Sequence, residues 1–108
     1  MDIGNLAGIL DRIQTQIQDE NVRFTQHAQQ EMVEEYISTG DVLEAIAAAQ
    51  ILEYYGQHRR GACYLLHGIT EAGRSIHVVC TTDRPLLIII TVYEPKLPKW
   101  TTPTQRRQ

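Results

Sequence analysis

The chain opens with apolar residues spaced alternately three and four positions apart, a pattern typical of one face of a helix. The residues of this stripe are Ile3, Leu6, Leu10, Ile13 and Ile17. Most positions between them are polar, so the spacing predicts an amphipathic helix that ends near Asn21. The stripe can pack into the core or against a second copy of the chain, and we favour the core.

Two shorter helices are predicted next. Thr25 is placed to cap a helix that starts at Gln26. A polar break over residues 38–41 ends that helix, and a third helix is predicted from about Asp41 to Ala49. Apolar residues at helical spacing are predicted to form the inner faces of both: Ala28, Met32, Tyr36, Val42, Ala45, Ile46 and Ala49.

After Gln50 the pattern changes to short apolar and β-branched runs separated by turn residues, which is typical of strands. The predicted strands are Ile51–Tyr55, Ala62–Ile69, Arg74–Thr81 and Leu86–Tyr93. Because the loops between them are four to six residues long, the strands are predicted to be antiparallel; parallel neighbours need long crossovers. Leu86–Ile90 is apolar on both faces, which places the last strand inside the sheet.

The last segment differs in composition from the rest of the chain. Residues 95–108 contain three prolines and four Lys or Arg. We therefore predict a single domain over residues 1–94, followed by an extended, Pro-rich, basic C-terminal arm over residues 95–108. The predicted class is α+β, with three helices followed by a four-stranded antiparallel sheet.

Charge is divided unequally between the two halves of the chain. Residues 1–55 carry ten Asp or Glu against two Arg, a balance of −8. Residues 56–108 carry eight Lys or Arg against three acidic residues, a balance of +5. The total of −3 hides this division. A polyanionic partner is therefore expected at the second half, since attraction depends on where the charges lie.

Length and composition narrow the class of protein. A chain of 108 residues fits one domain. No apolar run approaches the roughly 18 residues of a membrane-spanning helix, and residues 1–10 lack the features of a secretory signal. We expect a cytoplasmic protein in which Cys63 and Cys80 are structural thiols. If the intervening turn closes with Ile69 opposite Arg74, the two cysteines lie across from each other, and a disulfide is the alternative.

Several segments, in order and at fitting separations, resemble the family called domain of unknown function 4258. The resemblance covers residues 22–107 and departs from the usual family pattern at Glu31 and near Glu35, where basic residues are common. The segments that carry it are residues 23–28 (RFTQHA), 37–46, 64–68, 73–79 (GRSIHVV), 89–95 (IITVYEP), Trp100 and Arg106-Arg107.

This family is similar to the RelE-like, BrnT-like and MqsR-like endoribonuclease toxins. The resemblance implies that the N-terminal helices pack on one face of the sheet, with RNA on or beside the other face. It also implies that the chain is the toxin component of a bacterial toxin–antitoxin system. An antitoxin with an acidic or zinc-finger surface would then cover the basic half.

RNA cleavage without a metal needs a base for the 2′-hydroxyl proton, an acid for the 5′-oxygen and cations at the phosphate. His77 is the candidate base because imidazole titrates near neutral pH. Tyr93 is the candidate acid or phosphate-orienting group, and Arg74 is a candidate cation. Thr25 and His27 are candidate site-supporting residues. The candidate RNA-binding residues are Arg59, Arg60, Lys96, Lys99, Trp100, Arg106 and Arg107.

The strand register decides which of these residues share a face of the sheet. Arg74 and His77 are three positions apart on one strand, so their side chains point to opposite faces. One closure of the last turn places Arg74 opposite Tyr93, and a slip of one residue groups His77 with Tyr93 instead. The sequence does not distinguish between these two registers. A packing role for His77 and Tyr93 in the sheet also remains open.

Other functions have less support in the sequence. No His or Cys pair has the spacing of metal ligands, and no Gly-rich phosphate-binding motif is present, so neither a metal nor a cofactor is expected. A helix-turn-helix over residues 25–49 would place Asp41 and Glu44 against DNA, which makes DNA an unfavourable partner. The sequence thus predicts a metal-independent endoribonuclease that forms 2′,3′-cyclic phosphate ends. The alternative is a non-enzymatic RNA- or protein-binding module of the same fold.

Overall fold

The computed structural model of this chain describes residues 6–56, 61–82 and 85–107. Its helices are α1 (Leu6–Gln18), α2 (Gln26–Glu34) and α3 (Thr39–Ala47). Its strands are β1 (Val22–Phe24), β2 (Gln50–Tyr55), β3 (Cys63–Ile69), β4 (Ser75–Thr81), β5 (Leu87–Tyr93), β6 (Trp100–Thr102) and β7 (Gln105–Arg106). None of the described helices is long and apolar enough to span a membrane.

The predicted four-stranded antiparallel sheet is wrong. Five strands pair in the order β1-β5-β4-β3-β2, with β1 parallel to β5, and β6 and β7 form a second, two-stranded sheet. β1 has three residues, too few to show the alternation by which strands are recognised in a sequence. Its parallel pairing is possible because two helices and three strands separate it from β5 and provide the long crossover.

Side-chain caps determine where α2 and α3 begin. Thr25 caps α2 as predicted, and its hydroxyl accepts a hydrogen bond from the N–H of Ala28 at 3.1 Å. α3 begins at Thr39 rather than Asp41, because Ser38 is its cap. Asp41 completes a reciprocal capping box by accepting from the Ser38 N–H at 3.0 Å.

The main core lies between the three helices and one face of the sheet. It includes Ile13, Met32, Val42, Ile46, Leu66, Ile76, Val78 and Val92. Gly68 on β3 allows α3 to lie very close to the sheet, because a Cβ there would come within 1.7 Å of the Ala45 carbonyl oxygen. The absence of a side chain at this position therefore sets the distance between α3 and β3.

Side chains near and on α2 satisfy the edge of β5 that β1 does not cover. The Glu31 carboxylate accepts from the N–H of Val92 at 3.0 Å, and the Glu35 carboxylate accepts from the N–H of Glu94 at 3.1 Å. The Thr25 hydroxyl donates to the carbonyl of Ile90 at 3.0 Å. These contacts give Glu31 and Glu35 a structural role at the edge of the sheet.

The register around β4 brings the two aromatic site candidates together. His77 lies opposite His67 on β3 and opposite Tyr93 on β5. The pairing of β4 with β5 shifts once, between Val79 and Cys80. His77 therefore shares a face with Tyr93, which is the grouping that the slipped register predicts. The observed register is nevertheless displaced by three residues, not one, from the register that pairs Arg74 with Tyr93.

The sequence predicted an extended arm over residues 95–108, but this segment contains a hairpin. β6 and β7 pair with Trp100 opposite Arg106 and Thr102 opposite Gln105. Trp100 is 2% exposed, and its ring centroid lies 4.5 Å from that of His77. Residues 100–106, which we call the C-terminal hairpin, thus pack on the face of the sheet opposite the helices. The sheet has the helices on one face and the hairpin on the other.

Candidate functional site

His77 is at the centre of the face covered by the C-terminal hairpin. Alternation along β4 directs Ile76 and Val78 into the helix-side core and His77 to the other face. His77 is fully buried. Its Nδ1 lies 3.2 Å from the hydroxyl of Tyr93, and its Nε2 lies 2.6 Å from the carbonyl oxygen of Pro103. Both ring nitrogens are therefore engaged within the chain.

These contacts fix the tautomer of His77. A carbonyl oxygen only accepts hydrogen bonds, so Nε2 carries a proton and donates it to Pro103. Burial lowers the pKa of His77, with the positive charge of Arg106 and the neighbouring His67 acting in the same direction. The ring is consequently neutral at neutral pH, and its Nδ1 accepts the hydroxyl proton of Tyr93.

A cluster of rings surrounds His77. The ring centroids of His67, Tyr93 and Trp100 lie 5.7, 5.2 and 4.5 Å from that of His77. The Trp100 ring is nearly perpendicular to the imidazole, at 88°. His67 is itself buried and bonds through Nε2 to the Ser75 hydroxyl at 3.3 Å, and burial lowers its pKa. Water reaches the imidazole of His77 poorly as a result.

The hydroxyl of Tyr93 is held as a proton donor. Burial raises the pKa of Tyr93, and the nearby indole N–H of Trp100 and charge of Arg106 lower it in part. The indole N–H is buried and does not meet the geometry of a hydrogen bond with any described residue. Tyr93 is therefore protonated at neutral pH, and its hydroxyl points to the one nitrogen of His77 that can accept.

Glu53 and Tyr55 on β2 complete the site, and neither is among the site residues predicted from the sequence. Arg106 binds the Glu53 carboxylate with two nitrogens, at 2.5 Å for Nε and 2.7 Å for Nη2. The Tyr55 hydroxyl donates to Glu53 and lies 3.4 Å from Arg106 Nη2. Arg106 also lies over the Trp100 ring, 4.7 Å from its centroid. The hairpin is thus joined to β2 by a bidentate ion pair.

Charge and burial set the protonation states of this group. The hydrogen bond from Arg106 lowers the pKa of Glu53, so Glu53 is a carboxylate at neutral pH. Burial and the Glu53 carboxylate raise the pKa of Tyr55 to about 12. The signal for these residues was present in the sequence, because Glu53 and Tyr55 are two positions apart on a predicted strand and so share a face.

The structure places Arg74 away from His77, at the junction of α2, α3 and the end of β5. Its guanidinium donates to the carbonyls of Tyr36 at 2.7 Å and Glu35 at 3.0 Å. It also forms ion pairs with Glu94 and, at 3.4 Å, with Asp41. The donors of Arg74 are thus directed at groups of its own chain.

The remaining predicted residues lie in different parts of the molecule. Lys96 lies 3.8 Å from the Glu35 carboxylate, and His27 lies 3.3 Å from that of Glu31 on α2. Lys99 and Arg107 are exposed beside the hairpin. Trp100 is buried and Arg106 is ion-paired, so neither presents a free face in this conformation. The predicted basic residues Arg59 and Arg60 lie outside the described residues.

Among the described residues, no group of three or more His, Cys, Asp or Glu is arranged to hold a metal ion. Cys63 lies opposite Thr81 rather than Cys80, so the pairing considered for a disulfide does not occur. Both cysteines are buried thiols that are not joined in a disulfide. Burial raises the pKa of Cys80 strongly, which makes its thiol a poor nucleophile.

Comparison with known proteins identifies the family. No curated protein and no solved structure matches the chain. Residues 24–94 match the family model described as Domain of unknown function (DUF4258). The matched residues include His77, Tyr93 and Glu53, whereas the C-terminal hairpin lies beyond them. Because the match spans more than half of the sequence, the chain belongs to the DUF4258 family.

Proposed function

We propose that the chain is a metal-independent endoribonuclease in which His77 is the base and Tyr93 the acid. The observation that carries this proposal is the 3.2 Å contact between His77 Nδ1 and the Tyr93 hydroxyl, on the face of the sheet away from the helices. Because the pKa of His77 is lowered and that of Tyr93 is raised, the first is neutral and the second protonated at neutral pH. RNA cleavage needs a group in each of these states.

The proposed step transfers two protons and exchanges one P–O bond for another. The reaction starts once exchange with water has moved the proton of neutral His77 from Nε2 to Nδ1. Nε2 then takes the proton of a ribose 2′-hydroxyl, and the 2′-oxygen attacks the adjacent phosphorus. The P–O5′ bond breaks as the P–O2′ bond forms, and Tyr93 gives its proton to the departing 5′-oxygen. The products are a 2′,3′-cyclic phosphate and a 5′-hydroxyl. The Nδ1 proton of His77 then passes to the Tyr93 oxygen across their contact, which leaves both groups neutral and His77 with its proton on Nε2, as in the resting chain.

Arg106 is the cation that we assign to the phosphate. It lies over the Trp100 ring, which packs edge-on against His77, and its charge lowers the pKa values of both His77 and Tyr93. A guanidinium binds phosphate oxygens in pairs, as Arg106 now binds the carboxylate of Glu53. Arg106 thereby takes the role that the sequence analysis gave to Arg74, whose guanidinium is committed to Glu94 and to backbone carbonyls.

We also propose the finer relationship to the RelE-like, BrnT-like and MqsR-like toxins. In that case the natural partner is an antitoxin that covers the basic half of the chain with an acidic or zinc-finger surface. The support for this relationship is the resemblance of the short segments in the sequence, together with the helices on one face of the sheet and the site on the other.

One observation favours a second function, a non-enzymatic RNA- or protein-binding module. His77 is 0% exposed, and its Nε2 already donates to Pro103. A histidine in this state stabilises the packing of the hairpin and needs no substrate. Under this function, the exposed Lys99 and Arg107 would bind phosphates and no bond would break.

An RNA cleavage assay in EDTA separates the two functions. The wild-type chain is expected to leave 2′,3′-cyclic phosphate ends, and His77→Ala and Tyr93→Phe are each expected to lower the rate by about 100-fold or more. Tyr54→Phe is the matched control, because it removes a hydroxyl from an exposed ring. RNA that is bound but never cut supports the binding module, and cutting that survives His77→Ala overturns the assignment of the base.

A further inference from the structure

The C-terminal hairpin has little internal structure to hold it in place. β6 has three residues and β7 has two. A two-stranded hairpin of this size is not stable alone in water. It connects to β5 through residues 95–99, of which residues 96–99 are exposed. Its position on the sheet therefore depends on contacts with the sheet, and it belongs to the part of a structure that opens at low cost.

The contacts that hold the hairpin are concentrated around one ion pair. Arg106 binds Glu53 on β2 with two nitrogens and covers the Trp100 ring on its outer side. Trp100 in turn packs edge-on against His77. The Arg106 and Glu53 side chains are 41% and 25% exposed, so another anion can reach Arg106 from solvent. Loss of this pair would release the outermost part of the hairpin first.

The closed hairpin blocks the proposed reaction in two ways. Pro103 occupies Nε2 of His77, the atom that would take the 2′-hydroxyl proton. The same contact keeps His77 in the tautomer whose Nε2 already carries a proton. RNA can reach His77 only when Pro103 and Trp100 move away, and the base can then exchange its proton to Nδ1 through water.

We propose that the C-terminal hairpin is a lid over His77, that the Glu53–Arg106 ion pair is its latch, and that RNA opens the lid by offering Arg106 a phosphate in place of the Glu53 carboxylate. The inference rests on the proposed function, since a reaction at His77 is what requires an opening. The exchange keeps Arg106 paired with an anion throughout. The released Glu53 stays on the sheet, where its charge favours the imidazolium that His77 becomes during the reaction.

Chemical modification of His77 by diethyl pyrocarbonate, without RNA, measures opening of the lid. Peptide mass spectrometry gives the rate for each histidine, and His27, whose side chain is 64% exposed, is the internal reference. In the wild-type chain, His77 should react far more slowly than His27. Glu53→Gln removes the charge of the latch but keeps its size, and should raise the His77 rate roughly twofold to fivefold, the factor expected for a partly exposed ion pair.

Two further variants keep the test decisive. Trp100→Ala removes the ring that covers His77 and should raise the rate more than Glu53→Gln does. Glu34→Gln makes the same charge change at an exposed position of α2 and should leave the rate unchanged. The lid is overturned if His77 reacts as fast as His27 in the wild-type chain, or if neither Glu53→Gln nor Trp100→Ala changes the rate.

Gly68→Ala distinguishes local opening from unfolding of the whole domain. This substitution weakens the helix-side core without touching the hairpin. An increase in His77 modification equal to or greater than that of Glu53→Gln would mean that His77 reacts through global unfolding, and would overturn the lid.

A single-stranded RNA oligonucleotide separates failure of the lid from failure of the proposed function. With Glu53→Gln, the oligonucleotide should slow modification of His77 and should be cut faster than by the wild-type chain. If Glu53→Gln raises the modification rate of His77 but the oligonucleotide neither protects His77 nor is cut, the result supports the lid and counts against the endoribonuclease. If RNA protects His77 but Glu53→Gln does not change the modification rate in the absence of RNA, the result counts against the latch.

Discussion

The carbonyl oxygen of Pro103 accepts a hydrogen bond from His77 Nε2 at 2.6 Å, and this contact joins the C-terminal hairpin to the centre of the sheet. His77 is neutral and fully buried in this position. Burial lowers the pKa of His77 below its ordinary value, and the contact with Pro103 and the charge of Glu53 offset this only in part. The folded chain is thus less able than the unfolded chain to bind a proton here.

Stability should therefore depend on pH. Between the folded pKa of His77 and its ordinary value of 6.5 the unfolded chain binds more protons, so the free energy of unfolding should fall as pH drops below about 6.5. His77→Gln should make the free energy of unfolding depend less on pH. Burial also lowers the pKa of His67, which should account for part of the pH dependence that remains. Urea unfolding between about pH 7.5 and pH 5.5 measures the effect. The prediction would be contradicted if the free energy of unfolding changed equally with pH in the wild-type chain and in His77→Gln.

Gly68 should be the least replaceable glycine among the described residues. An added methyl group would lie 1.7 Å from the Ala45 carbonyl oxygen, and relief requires α3 to move away from β3. We expect Gly68→Ala to lower the free energy of unfolding by about 2 kcal/mol or more. Gly8→Ala is the control, because a Cβ on the exposed face of α1 meets nothing within 4 Å and should stabilise the helix by about 0.5 to 1 kcal/mol. Thermal unfolding of both variants tests the contrast.

Glu31 should stabilise the fold through the backbone of β5. Replacement by Ala leaves the N–H of Val92 without its acceptor and should cost about 1 kcal/mol. Glu31→Gln keeps an acceptor oxygen and should cost less. Glu34→Ala, at an exposed position of the same helix, should change stability by less than about 0.5 kcal/mol. Equal effects of Ala at residues 31 and 34 would show that the edge contact contributes nothing.

Arg74 should act on stability through the planar shape of its guanidinium. An ammonium group cannot reach two carbonyls and two carboxylates from one position, so Arg74→Lys should lower the free energy of unfolding by about 1 to 2 kcal/mol although charge is kept. Arg12→Lys, at an exposed position of α1, is the matched control. Denaturant unfolding of the two variants gives the difference directly, and no difference between them would be the contradictory result.

Hydropathy patterns predicted the parts of this fold that are long enough to be periodic. The three helices and β2–β5 occur close to where the spacing placed them. Tyr36 is an exception, because it was predicted on the inner face of the second helix but lies beyond the end of α2 and is exposed. β1, β6 and β7 have three residues or fewer and show no period. Their positions depend on partners distant in sequence, such as Ile89 for β1 and His77 for the hairpin.

The site was predictable only in part for the same physical reason. Alternation along β4 and β5 allowed His77 and Tyr93 to share a face, but the irregular pairing between Val79 and Cys80 determines the register, and side-chain patterns do not reveal such an irregularity. The sequence placed Glu53 and Tyr55 on one face of a strand, but it did not indicate that Glu53 pairs with Arg106, fifty-three positions later. Interactions between distant segments supply most of the site.

The most direct test of the central claim is the chemistry of RNA ends produced by the Glu53→Gln chain, whose lid is expected to be open. In EDTA, an RNA oligonucleotide should be cut to 2′,3′-cyclic phosphate and 5′-hydroxyl ends, which mass spectrometry identifies. Adding His77→Ala to the same chain, or a 2′-deoxy sugar at the cut position, should abolish these products. Cutting that persists without His77 or without the 2′-hydroxyl, or intact RNA when modification shows His77 to be accessible, would contradict the proposed endoribonuclease.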